Sequence, residues 1–202
     1  MKAREKLGLR GKVELFVTKG KAPIIKQGKL LYDKPYPVYD KAEIDFSGTQ
    51  LIDKQVLHNI ILNQGKDKVI TSLTTGFMRP IARMAIGDRG TELYNETYRD
   101  DVDTTTLDVG TPTVHEVQFI KTFSALNVPI TAFSNQANPL VNEVALVMID
   151  ILGGNPLPRA PVASPNSPDA DEELFGIRAF KSIPFEAANE IAITIRYTIF
   201  IE

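Results

Sequence analysis

The side chains best suited to chemistry are few, and their spacing matches no common catalytic or metal-binding pattern. Two histidines, His58 and His115, lie far apart with no carboxylates at ligand spacing beside them, which argues against a histidine-based metal site. Asp100, Asp101, Asp103 and Asp108 offer the oxygen ligands that calcium takes, but they lack the internal glycine and closing glutamate of an EF-hand. An ordinary acidic loop is the simpler reading of that cluster, and calcium the alternative. Gly87-Asp88-Arg89-Gly90 is too short and too acidic to cradle a phosphate on backbone amides. No G-x-S-x-G, P-loop or dinucleotide fingerprint occurs, and no nucleophile stands near a base in a recognisable motif. The complete lack of cysteine excludes disulfides and Cys-ligated zinc or iron–sulfur sites. Asn95-Glu96-Thr97 has the form of a glycosylation sequon but carries no weight without a secretory signal. No catalytic, cofactor-binding or metal residue is therefore assigned, no cofactor is expected, and a non-enzyme is the expectation.

The elements that would position these residues are mostly strands. Residues 191–201 alternate Ile191, Ile193, Ile195, Tyr197, Ile199 and Ile201 with Ala192, Thr194, Arg196, Thr198 and Phe200. Period-two alternation of β-branched and aromatic residues predicts a long half-buried strand, whose edge a sheet or another subunit would have to cover. Strands are also expected around Val13–Val17, Lys29–Tyr32, Ala42–Phe46, Ile81–Ile86, Val114–Phe123, Val128–Phe133 and Leu174–Phe180. The continuous apolar run Val141–Leu152 predicts a strand buried on both faces. Residues 155–171, with five prolines, read as a long exposed loop. One helix is expected near residues 52–64, because Ile52, Val56 and Ile60 recur every four residues beside Leu57 and Ile61. A weaker helix could follow over 66–74. The fold class is thus mainly β, a β-sandwich or jelly-roll-like domain at 49–202 preceded by an N-terminal β arm at 1–48.

At 202 residues and 43% hydrophobic content, the chain can bury a core of its own. No apolar stretch approaches the ~18 residues of a membrane span. The N-terminus lacks the apolar segment of a secretory signal, so synthesis in the cytoplasm is expected. Residues 1–34 hold ten Lys/Arg against three acids, and the remainder thirteen against twenty-two. The basic residues are dispersed among Val13, Leu15, Phe16, Ile24 and Ile25, which favours a solvated face or an arm on an acidic neighbour over nucleic-acid binding.

Three segments, in order, resemble a known family. The first is Ile81-Ala82-Arg83-Met84-Ala85-Ile86-Gly87-Asp88-Arg89-Gly90-Thr91, followed by Tyr94-Asn95-Glu96-Thr97-Tyr98-Arg99. The second is Val141-Asn142-Glu143-Val144-Ala145-Leu146-Val147. The third runs Leu174-Phe175-Gly176-Ile177-Arg178-Ala179-Phe180-Lys181-Ser182-Ile183-Pro184, followed by the terminal strand. Together they resemble the N-terminal virion-attachment domain of tailed-phage tail-collar and tail-fibre proteins, over roughly residues 50–202. Arg89 departs from the pattern, which usually has a small residue or glycine there. The sequence also stops where a fibre of that family would continue into its shaft, so an attachment domain alone is expected.

The resemblance implies a virion structural protein, a homo-oligomer at the tail, collar or baseplate with other virion proteins as partners. A capsid decoration protein is the alternative within that class. A carbohydrate-binding β-sandwich is the alternative outside it, weakened by 8% aromatics and no tryptophan. In physical terms, Gly87 and Gly90 suit a tight turn, Glu96 and Arg99 are spaced to pair, and Glu143 opens an apolar run where a carboxylate needs a partner.

Overall fold

The computed structural model describes residues 8–33, 37–62, 65–67, 69, 80–88, 96–107, 115–149, 151–152, 155–156 and 172–201. The strands are β1 (Leu9–Gly20), β2 (Ile24–Gln27), β3 (Leu30–Tyr32), β4 (Val38–Tyr39), β5 (Ala42–Asp45), β6 (Thr49–Ile61), β7 (Ile81–Gly87) and β8 (Glu96–Asp101). They continue with β9 (Thr104–Leu107), β10 (His115–Ser124), β11 (Leu140–Ile149), β12 (Ile151–Leu152), β13 (Asn155–Pro156), β14 (Glu172–Pro184) and β15 (Ile191–Ile201). The protein is mainly β, as the alternating segments predict. Among the described residues, helix is confined to residues 65–67 and 69 and to 3-10 turns at Ile130–Ala132 and Ala187–Asn189.

Eleven strands form one hydrogen-bonded array in the order β3-β4-β9-β10-β15-β1-β6-β14-β11-β7-β8. The array doubles over at β6. That strand pairs with β1 from Thr49 to Asn59, whereas only Ile60 and Ile61 pair with β14. Seven strands from β3 to β6 therefore make a larger layer, and β14, β11, β7 and β8 a smaller one. Side chains of both layers share one core: Leu15 of β1, Phe123 of β10 and Ile193, Ile195 and Tyr197 of β15 meet Met84, Ile86, Val144, Leu146 and Phe175. Two faces closing on a common apolar interior make a β-sandwich.

The terminal alternation does form a strand whose edges the sheet covers, but it is buried on both faces where half-burial was expected. β15 pairs with β1 on one side and β10 on the other along its length, and Ala192, Thr194 and Thr198 are buried on its second face. The continuous run at 141–149 is buried on both faces, as its composition predicts.

Three expectations need correction. Residues 52–64 are not a helix, because β6 occupies Thr49–Ile61. A spacing of four is also twice the strand period, so Ile52, Val56 and Ile60 share one strand face as readily as one helix face. Pairing with β1 decides between them, and Leu57 and Ile61, on the other face, enter the core. Residues 9–20 are not part of a separate arm, since β1 stands between β15 and β6 with Val13, Leu15 and Val17 in the core. At Val128–Phe133 the chain forms a 3-10 turn that starts after Pro129, which lacks the N–H a strand ladder needs. Of the weaker helix over 66–74, residues 66, 67 and 69 are helical, and the others lie outside the described residues, as does 157–171 of the proline-rich stretch.

Strands β2 and β5 lie as a third layer on the larger sheet. Ile44 packs with Phe16 and Ile120, and Phe46 stacks tilted on Phe16 with ring centroids 5.3 Å apart. The Gly28 N–H donates to the Lys41 carbonyl at 2.8 Å and the Asp40 N–H to the Lys29 carbonyl at 3.0 Å, so β2–β3 and β4–β5 are one bent hairpin. The bend requires glycine. A Cβ at position 28 would fall 2.1 Å from the Asp40 carboxylate, which accepts the Lys29 N–H. Beyond the bend, β4 pairs in parallel with β9, so the hairpin wraps the edge of the larger layer.

Candidate functional site

The two layers meet along two seams, and the charged and amide side chains of the interior collect there. At the first seam the chain turns from β8 into β9. The Val102 N–H donates to the Ala82 carbonyl at 2.9 Å, and the Asp103 N–H to the Ile120 carbonyl at 2.8 Å. Lys121 sits on the core-facing side of β10 between Phe119 and Phe123, 8% exposed. Its Nζ lies 3.1 Å from Asp100 and 2.9 Å from Asp103, and 6.0 Å from the centre of the Phe123 ring. Asp103 also accepts the Thr122 N–H at 2.7 Å. Burial pulls the Lys121 pKa down, but Asp103 and Asp100 outweigh it and hold the ammonium above its usual range. This ion triad ties β10 of the larger layer to β8 of the smaller one.

The second seam is open. Above Ile60, β6 and β14 diverge, and a cavity of about 340 Å³ separates them. Val17, Ile183 and Ile191 form its buried floor, and Asp53, Lys181 and Glu186 stand at its rim. Gln55 spans the gap: its Nε2 donates to the Lys181 carbonyl at 3.3 Å, and its Oε1 accepts the Lys181 N–H at 3.2 Å. A side-chain amide makes here the pair of bonds that a neighbouring strand would make. Asp53 accepts from Gln55 Nε2 at 3.1 Å, and Glu186 accepts from Asn189. Neither carboxylate has a cation within salt-bridge distance among the described residues. The cavity is apolar at its base, and its rim carries both signs of charge, from Asp53 and Glu186 and from Lys181.

The residues singled out in the sequence fall in several places. His58 is exposed on the outward face of β6 and His115 is exposed at the start of β10, so no site unites them. Asp100 and Asp103 serve Lys121, and Asp101 pairs with Arg83 at 3.0 Å; Asp108 lies outside the described residues. No group of three or more metal-ligating side chains occurs among the described residues. Asp88 does structural work: it accepts the Ser134 N–H at 2.7 Å and the Ser134 hydroxyl, which fixes the loop before β11. Its neighbours Arg89 and Gly90, and Asn95, lie outside the described residues, as does the side chain of Glu96.

Thr97, Arg99 and Glu143 are buried on the outward face of the smaller layer with Arg83, and Arg83, Arg99 and Glu143 are all engaged in interactions. Two features were missed. Lys121 could have been suspected from its place between Phe119 and Phe123 on one strand face. The Gln55–Lys181 bridge had no signal, since the partners are 126 residues apart. Tyr197 is a further buried polar side chain. Among the described residues its hydroxyl has no hydrogen-bond partner, and burial raises its pKa far above the ordinary phenol value.

Comparison with protein-family models, curated proteins and solved structures yields no match. Among the described residues, no helix is long and apolar enough to cross a membrane.

Proposed function

We propose that this chain is a non-enzymatic phage virion structural protein that assembles as a homo-oligomer at the tail, collar or baseplate. One observation carries the reading. The segments on which the resemblance to tail-collar and tail-fibre attachment domains rests are scattered over the sequence, yet those before the terminal strand fall on β7–β8, β11 and β14, the four strands of the smaller layer, while the terminal strand, β15, stands in the larger layer that shares its core. Short motifs that meet in one sheet and in the layer packed on it fit one structural unit. Their charged members support the same view. Glu143 and Arg99 are buried within the layer, so their part is to hold the sheet together. The polar side chains that span the seams also fit scaffolding: Lys121 joins two strands through an ion triad, and the Gln55 amide joins two others.

Mass spectrometry of purified phage particles from the producing host, with immunogold labelling, tests the reading. The protein is expected in stoichiometric amounts, with gold on the tail or baseplate. Gold distributed over the capsid would move it to the decoration class. Absence from the particles would sink the virion reading altogether.

A further inference from the structure

We propose that the bent β2–β5 hairpin is a strap, hinged at Gly20 and Gly48, that opens and recloses as one body on a sandwich that stays folded. Opening uncovers Phe16, Ile120 and the outer edge of β9. The inference goes beyond the virion reading and does not depend on it.

The hairpin leaves and re-enters the larger layer at one place. Gly20 and Thr49 are ladder partners at the end of the β1–β6 pair, so the chain between them can swing away without breaking that pair. Both ends of this excursion turn on glycine. Gly20 (φ 87°) and Gly48 (φ 83°) are the two positive-φ glycines among the described residues, in a backbone region that other residues rarely adopt. The root has bonds of its own to the sandwich: the Gly20 N–H donates to the Glu190 carbonyl at 3.2 Å, and the Thr49 hydroxyl to the Lys19 carbonyl at 3.4 Å.

Inside the hairpin the ties are many. β2 and β5 pair from Ile24–Asp45 to Gln27–Ala42, and Lys26 and Asp45 form an ion pair at 2.6 Å. Gly28, Lys29, Asp40 and Lys41 carry the hydrogen bonding on around the bend. Toward the sandwich the ties are few. Among the described residues they are the two-residue parallel pair of β4 with β9, a 3.4 Å bond from Gln27 Nε2 to the Asp103 carbonyl, and apolar packing on Phe16 and Ile120. Of residues 21–33 and 37–48, only Pro23 and Ile44 are buried. A segment bonded within itself and thinly buried against its support opens locally, well below the cost of global unfolding.

The face beneath keeps its own partners when the strap lifts. Lys54 and Arg196, on the two strands that flank β1, stand 5.1 and 5.9 Å from the centre of the Phe16 ring. β9 stays paired with β10 through Thr104–Leu107. Opening therefore takes no strand out of the sandwich.

Native-state hydrogen exchange of the full chain in sub-denaturing urea tests the strap. The amides of 25–29 and 40–45 are expected to share one opening free energy and to exchange at least about tenfold faster than those of 13–17 and 193–199. Strap amides that open only with the sandwich, or each at a free energy of its own, would overturn the proposal. Gly28→Ala gives a second arm. The added Cβ would fall 2.1 Å from the Asp40 carboxylate and 2.6 Å from the Lys41 side chain, both inside the strap. Exchange throughout 25–29 and 40–45 should quicken while that of 13–17 and 193–199 stays unchanged. Protection lost in both regions together would show one cooperative unit and overturn the strap.

Discussion

The two seams of the sandwich solve one problem in opposite ways. A single row of cross-strand neighbours on the core face of the larger layer links them: Lys121 of β10, Ile195 of β15, Leu15 of β1 and Gln55 of β6. The apolar middle of that row is fully buried, and a polar side chain stands at each end. At the Lys121 end one carboxylate, Asp100, comes from the opposing layer and a second, Asp103, from the turn where the chain crosses over, so the seam is shut. At the Gln55 end a neutral amide reaches one backbone position and the strands part. The contrast teaches where this fold spends its strong interactions. A charge-assisted triad in a half-buried setting locks, whereas an exposed neutral pair only spaces.

Lys121→Met should give the largest loss. It leaves Asp100 and Asp103 facing an apolar side chain, and with both carboxylates about one-third exposed the cost is about 2–3 kcal/mol, read by urea denaturation. The same triad sets an alkaline limit. The folded-state pKa of Lys121 is raised, so its contribution is complete below the ordinary value of 10.5 and is lost as pH climbs through the folded value. Stability of the native protein should therefore fall above that pH more steeply than stability of Lys121→Met, and parallel alkaline profiles would break the contrast. At the open seam, Gln55→Leu should cost no more than about 1 kcal/mol, since exposed neutral hydrogen bonds contribute little net. A loss equal to that of Lys121→Met would mean that both seams are locks. Tyr197→Phe is the smallest and has the opposite sign. Removing a buried hydroxyl that has no hydrogen-bond partner among the described residues should raise stability by about 1 kcal/mol, measured by the same titration.

Much of the sandwich was legible because its strands carry one of two clear signatures. β10 alternates, and β11 is apolar on both faces with Val and Ile, which only a doubly covered strand tolerates. β15 was legible as a strand but not as the centre of a sheet, because the small residues Ala192, Thr194 and Thr198 that fill its second face read as polar or neutral in sequence. The period of β6 is ambiguous in sequence, since Ile52, Val56 and Ile60 satisfy both four-residue and two-residue repeats. Pairing with β1, fixed by residues forty positions away, breaks that tie. The seams were the least legible. Asp100 and Asp103 read in sequence as an ordinary acidic loop, with calcium the alternative, because their cation, Lys121, comes from another strand. The opening beside Gln55 depends on where β14 leaves β6, and no local pattern encodes that.

The seam at Lys121 is locked by charge, and the seam at Gln55 is only spaced by a neutral amide. Native-state hydrogen–deuterium exchange of the protein in solution measures that difference in one experiment. The amides of 100–104 and 119–123 should exchange far more slowly than those of 49–56. Equal protection of the two seams, or faster exchange at the Lys121 corner, would contradict it.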